Sequence, residues 1–201
     1  MKFRLISRVL GIGLIAFSFL QLTPIIVSVI YNEANISAFA YSFAITLAFG
    51  AFLYLVNFEK KYEGIRVKEG FLLTVMLWLF FTIFATLPFI LGTKGSVSIV
   101  SAYFEATSGL TTTGATIFSD LSGEYLSILF YRGLLQWIGG LGIIVLAIAL
   151  MPLLGIGGMQ LYRGETQGPI NQSKLRPKIA ETAKVLVYIY LVLTFLCFLS
   201  Y

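Results

Sequence analysis

The sequence predicts an all-α membrane protein, and three observations carry that prediction. Only 11% of the 201 residues are charged and 58% are hydrophobic, whereas a soluble domain carries about 25% charged residues because its surface meets water. Long apolar runs reach or approach the roughly 20 helical residues needed to cross a bilayer. The basic residues fall in short clusters between those runs instead of being spread along the chain.

The first run covers residues 9–30 and carries no charge. The second covers 36–58, the third 71–91, and the fourth 125–154, with Arg132 near its start. A fifth begins near Ala183 and continues to Tyr201, so that it either just spans or the chain is cut there. Residues 1–8 followed by an apolar run have the outline of a signal peptide. The run is too long for one and lacks an A-x-A-like exit, so an uncleaved helix is expected. Pro24 and Pro88 fall in or near helices, where a membrane tolerates them as a kink or a helix end.

The pattern changes over residues 92–124. Residues 96–109 (SVSIVSAYFEATSG) are too few to cross and too apolar for an ordinary loop. LTTTGATIF follows, rich in β-branched residues and poor in helix formers. A short helix, an extended segment and a return on the same side make a re-entrant hairpin. At membrane depth such backbone is tolerated only when it is buried in protein or lines a watery cavity.

Orientation follows from Lys and Arg. One side holds Lys2, Arg4, Arg8, Lys60, Lys61, Arg66, Lys68, Arg163, Lys174, Arg176, Lys178 and Lys184, twelve of the fourteen. The other side holds Lys94 and Arg132, with Glu33, Glu105, Asp120 and Glu124. The positive-inside rule puts the twelve, and the N-terminus, in the cytoplasm. The hairpin then enters from outside.

Composition also excludes. The net charge of +5 has no basic stretch interleaved with aromatics on a polar scaffold, so nucleic acid is not an expected partner. There is no His and a single Cys, Cys197, in an apolar run. That removes His/Cys metal sites, His-dependent nucleophilic chemistry and an intrachain disulfide. An enzyme would need acid, base or metal ligands converging at depth, and only Arg132 and Glu105 are candidates there. No enzyme activity and no cofactor are expected.

The chemistry resides in Thr111, Thr112, Thr113 and Gly114. A dehydrated cation needs oxygens to replace its water shell, and backbone carbonyls supply them without adding charge. Stacked carbonyl rings require unusual backbone regions, and Gly114 can take φ > 0 at little steric cost. Threonine stiffness holds the neighbouring carbonyls. The preceding short helix aims its partially negative C-terminal end at the cavity. Glu105 and Asp120 add negative potential near the mouth. The string alone fits equally a tight extracellular turn packed on the bundle. Arg132, costly inside a membrane, should pair with Glu105 or Asp120, or else snorkel to the interface.

Three stretches carry a family likeness. FEATSGLTTTGATIFSDL, then LFYRGLLQWIGGLGIIVLAIALMPLLGIGGMQLYRGETQGP, then KLRPKIAETAKVLVYIYLVLT occur in order, and together they resemble the TrkH/KtrB potassium-uptake family, the TrkH branch most closely. The resemblance implies potassium uptake across the cytoplasmic (inner) membrane through a pore of four repeats, each a helix, a pore helix with filter loop, and a helix. It implies K⁺ coordination at Thr112, Thr113 and Gly114, with Thr111 at the cavity end and Glu105 and Arg132 as filter support. It implies an N-terminal two-helix extension over residues 1–66 and a first repeat over 67–162. A cytoplasmic loop over 163–182 and the first helix of a second repeat over 183–201 follow. It also implies a homodimer of full-length subunits and cytoplasmic nucleotide-binding regulatory subunits of the TrkA type.

The departure from the family is length. Its chains run to more than twice this one, so three further filter segments, from remaining repeats or other copies, are expected to complete the pore. The alternative expectation is a truncated, non-conducting subunit that packs with other transporter chains.

Among the remaining features, Gly139, Gly140 and Gly142 clear one stretch of the fourth helix for close packing against a neighbouring helix or the pore helix, with a gating hinge as the alternative reading. Gly155, Gly157 and Gly158 near Pro152 mark a helix end, with no nucleotide fingerprint. The basic residues from Lys174 to Lys184 hold topology and meet anionic membrane lipid. Trp78 and Trp137 read as interfacial anchors.

Overall fold

A computed structural model of the chain describes residues 3–56, 67–150 and 175–200. Its regular elements among these residues are all helices: α1 (Phe3–Leu20), α2 (Thr23–Ile30), α3 (Ile36–Val56), α4 (Val67–Ala85), α5 (Leu87–Gly92), α6 (Ile99–Leu110), α7 (Leu126–Leu150) and α8 (Leu175–Ser200). Five stretches are long and apolar enough to cross a bilayer: Phe3–Ile30, Ile36–Val56, Glu69–Gly92, Leu126–Ile143 and Ala183–Ser200. They correspond to the five runs of the sequence. Residues 57–58, 151–154 and 201 of those runs lie outside the described residues. So do Lys60, Lys61, Arg66, Arg163, Lys174 and the Gly155, Gly157 and Gly158 cluster.

The first and third runs are each two helices. A proline lacks the N–H that would bond to the carbonyl four residues earlier, so Pro24 frees Leu20 O and Pro88 frees Phe84 O. Both helices break within that turn, and both prolines sit in the first turn of the helix that follows. Side chains take up the freed carbonyls. The Thr23 hydroxyl donates to Leu20 O at 2.8 Å, and Gln21 Nε2 donates to Phe84 O at 3.1 Å from 63 residues away. Tyr131 donates its hydroxyl to the adjacent Ala85 O at 3.2 Å. In hydrocarbon an unmet backbone group costs several kcal/mol, so these three side chains are what make the breaks tolerable.

The fifth helix starts at Leu175, where the sequence suggested a loop as far as residue 182. Pro177 falls in its first turn, the one interior position where proline costs little. The residues after it (KIAETAK) include good helix formers.

The chain divides into two compact units, residues 1–139 and 140–201. In the first, α1 packs along α3 at close range: a Cβ on Gly11 would stand 2.7 Å from Gly50 O, and one on Gly50 3.0 Å from Ile15 N. Small residues that let backbones approach are the usual basis of helix association in lipid. Leu14, Phe17, Phe39, Phe84, Phe89, Ala106, Ile128, Tyr131 and Leu135 form one buried cluster that joins α1, α3, α4 and α5 to α6 and α7. The second unit contains the end of α7 and α8, whose residues 183–200 are apolar nearly throughout.

Candidate functional site

Residues 93–125 fold as the expected hairpin. Lys94 N donates to Glu124 Oε2 at 3.2 Å, so the two ends of the segment lie together. Its helix, α6, starts where Ser98 accepts a hydrogen bond from Ser101 N at 3.1 Å, an N-cap. Twelve residues make a rod of about 18 Å, too short to cross the roughly 30 Å hydrocarbon core.

The end of α6 sets the backbone of Thr111, Thr112, Thr113 and Gly114. Thr112 N bonds to Gly109 O and Thr113 N to Ser108 O, both at 3.0 Å, with Thr112 at φ 58°. That is a Schellman ending with threonine in the left-handed position glycine usually fills. Gly114, two residues on, has φ 78°, as the sequence led us to expect. The Thr112 geometry was not legible, because a β-branched residue is an outlier there. Left-handed residues at alternate positions break the side-to-side alternation of carbonyls that an extended strand would have.

The amides of Thr111, Thr112, Thr113 and Gly114 all turn back onto α6, the last at 3.5 Å. The Ser108 hydroxyl holds the next carbonyl, Ala115 O, at 2.6 Å, and the Thr111 and Thr113 hydroxyls lie 2.8 Å apart. Among the described residues no donor reaches the carbonyl oxygens of these four residues. All four are exposed within the chain. The segment therefore spends its donors internally and presents its acceptors.

Behind the loop stands Glu105, 1% exposed. It pairs with Arg132 Nε on α7 and accepts from Ile117 N at 2.9 Å and from the Thr116 hydroxyl at 3.1 Å. One carboxylate thus ties α6 to α7 and to the segment that leaves the loop. Of the two partners expected for Arg132, the structure selects Glu105. Asp120 bonds locally instead: the Ser122 hydroxyl and then the Ser122 amide hold its carboxyl below the usual carboxylate range. Asp120 and Glu124 line an open hollow of about 340 Å³ with Ser98, Ser101, Ile117 and Ser119.

α7 also seats the loop from below. A Cβ on Gly109 would stand 3.0 Å from Leu135 Cβ, and one on Gly139 would overlap the carbonyl of Leu110, the residue just before the 111–114 segment. Of the glycines expected to pack closely in the fourth run, Gly139 does so, and its neighbour is α6.

Sequence reasoning missed one participant. Glu33, in the turn between α2 and α3, accepts from Leu126 N at 2.6 Å and Ser127 N at 3.2 Å and so caps α7. Its only sequence signal was an acidic residue in a loop on the hairpin side.

Five bilayer-length helices and a one-sided hairpin define a multi-pass helical membrane protein. The chain belongs to the TrkH family, whose profile, described as "Cation transport protein", matches residues 35–201. It is 46% identical over 200 residues to the Trk system potassium uptake protein TrkH of Escherichia coli K12, covering 100% of this chain and 41% of that protein. It is 36% identical to the Trk system potassium uptake protein TrkG of the same organism over 98% of this chain and 41% of that one. The crystal structure of the potassium transporter TrkH from Vibrio parahaemolyticus superimposes with a TM-score of 0.81 at 42% identity, covering 97% of this chain and 38% of that chain. The chain thus spans about two fifths of the length of its curated relatives.

Proposed function

We propose that the chain is part of the pore-forming subunit of a Trk-type potassium uptake system and that residues 111–114 are one of its four filter segments. One observation carries the reading: the amides of this segment are bonded onto α6, and no donor among the described residues reaches its carbonyls. Such oxygens can replace the water shell of K⁺ without adding charge, with Thr112, Thr113 and Gly114 as ligands and Thr111 at the cavity end. The C-terminal end of α6, aimed at the loop, favours a cation. Glu105 and Arg132 hold the hairpin in place from behind.

In this reading residues 1–66 form a two-helix extension and 67–162 the first helix–hairpin–helix repeat. The segment after residue 162 leads to α8 (Leu175–Ser200), whose residues from 183 on open the next. Further repeats supply the other filter segments. The N-terminus lies in the cytoplasm of a cell whose inner membrane holds the protein, and the hairpin opens outward. Two full-length subunits pair, and TrkA-type nucleotide-binding subunits regulate them from the cytoplasm. The relatives, which are potassium uptake proteins, support the cargo.

The test is Rb⁺ and Na⁺ uptake by the complete transporter in a host that lacks its own potassium uptake. Gly114→Ala and Gly114→Ser force a side chain into φ 78° and should lower the Rb⁺/Na⁺ ratio by about tenfold, the factor for 1.4 kcal/mol. Gly123→Ala, at a position without positive φ, should leave the ratio near that of the parent. An unchanged ratio for both Gly114 variants would remove the filter assignment.

A further inference from the structure

We propose that Glu33 is a positioning residue for ion selectivity: by capping α7 from the preceding helix pair it fixes the height at which α7 supports the 111–114 loop. The proposal rests on the reading of that loop as the filter. It adds a residue that lies before position 35, where the family match begins.

Each link is a contact. α2 ends in a Schellman motif of its own: Asn32 N bonds to Val29 O at 3.3 Å and Glu33 N to Ser28 O at 2.8 Å, with Asn32 left-handed at φ 51°. Asparagine is the residue after glycine best suited to that position. The turn aims Glu33 at the first amides of α7, where both its carboxylate oxygens are used. A negative charge at a helix N-terminus meets the orphan amides and the positive end of the helix dipole. Asn35 reinforces the tie by donating to Gly92 O of α5 at 3.1 Å and to the Ser127 hydroxyl of α7 at 2.8 Å. It also accepts from Ser28 of α2 at 2.9 Å.

The far end of the lever is the loop. Arg132 on α7 holds Glu105, and Glu105 holds Thr116 and Ile117, just past the filter. Leu135 and Gly139 abut Gly109 and Leu110, just before it. The contact at Gly139 has no room for even a methyl group, so a small slide or rotation of α7 reaches the loop undamped. The cap therefore does more than stabilise a helix end.

The experiment uses the complete transporter in the same host, with its amount in the membrane measured by immunoblot. Glu33→Gln keeps the shape and removes the charge. Leu126→Pro removes one of the two capped amides at the first helical position, where proline is otherwise welcome. Asn32→Val disfavours the left-handed turn, while Asn32→Gly preserves it. The first three should lower the Rb⁺/Na⁺ uptake ratio by about two- to fivefold, in line with the usual strength of a charged cap. Asn32→Gly should keep the parent ratio. A helix cap that matters only for folding would lower the amount of protein and leave the ratio intact. That outcome, or the failure of both Glu33→Gln and Leu126→Pro to accumulate, would overturn the proposal. If Gly114→Ser changes the ratio and these variants do not, the positioning role alone fails. If Gly114→Ser also changes nothing, the filter reading has failed first.

Discussion

At Pro24 and Pro88 the helices break and side chains take up the freed carbonyls, whereas at residues 111–114 the chain leaves the helix and, among the described residues, its carbonyls receive no donor. Thr23, Gln21 and Tyr131 serve the first two places. The hairpin and the helix behind it carry donors too: the Thr111 and Thr113 hydroxyls, Thr116 and Arg132. They are committed elsewhere, to each other, to Thr107 O or to Glu105. The chain has the means to satisfy a broken helix, and at the loop those means point away from the carbonyls. A break whose only purpose was a bend would resemble Pro88. The contrast is the one that the proposed cation site requires.

The largest expected effect tests the side of the loop that is fully bonded. Arg132→Ala would leave Glu105 as an uncompensated buried charge, and thermal unfolding in detergent should register a loss of about 3–5 kcal/mol. Replacing both partners by apolar residues, Arg132→Met with Glu105→Leu, should recover much of that stability, because a buried pair is worth little net. It should not recover selectivity, since Thr116 and Ile117 would still lack their acceptor. Recovery of both would mean that the pair is only filler.

A smaller effect is expected at the seat of the loop. Gly139→Ala drives a methyl into the Leu110 carbonyl and should cost about 1–3 kcal/mol by overpacking, with altered Rb⁺/Na⁺ uptake. Gly133→Ala on the same helix meets nothing within 4 Å and should be neutral or slightly stabilising. Equal behaviour of the two in an unfolding assay would dissolve the distinction between them.

The smallest effect sharpens the other side of the comparison. Gln21→Leu strands Phe84 O and should cost about 1–2 kcal/mol with the uptake ratio unchanged. Pro88→Ala restores the missing N–H, so the double variant should lose less than the sum of the two single losses. Additive losses in a double-mutant cycle would mean that Gln21 does not serve the break.

Most of the architecture was legible because the bilayer makes it so: length, apolarity and the scarcity of charge mark a spanning helix residue by residue. Glu105–Arg132 was legible for the same reason, since a charge at depth must find a partner and only two were offered. What healed the proline breaks was not. Gln21 and Phe84 lie 63 residues apart, and Tyr131 and Ala85 46, and no local pattern encodes such meetings. Gly114 announced its backbone by being glycine. Thr112 concealed its own by being threonine, and Glu33 was concealed by lying in a loop, where an acidic residue ordinarily meets only water.

Thr112 has a consequence for anyone who would improve this protein. Two helices here end in the same turn, one with asparagine at the left-handed position and one with threonine, and the second stores about 1–3 kcal/mol of backbone strain. Glycine would release it. A selection for heat resistance alone would therefore favour a glycine at position 112 and with it a looser backbone at 111–114; if that segment is the filter proposed above, robustness and discrimination between ions pull on one side chain in opposite directions.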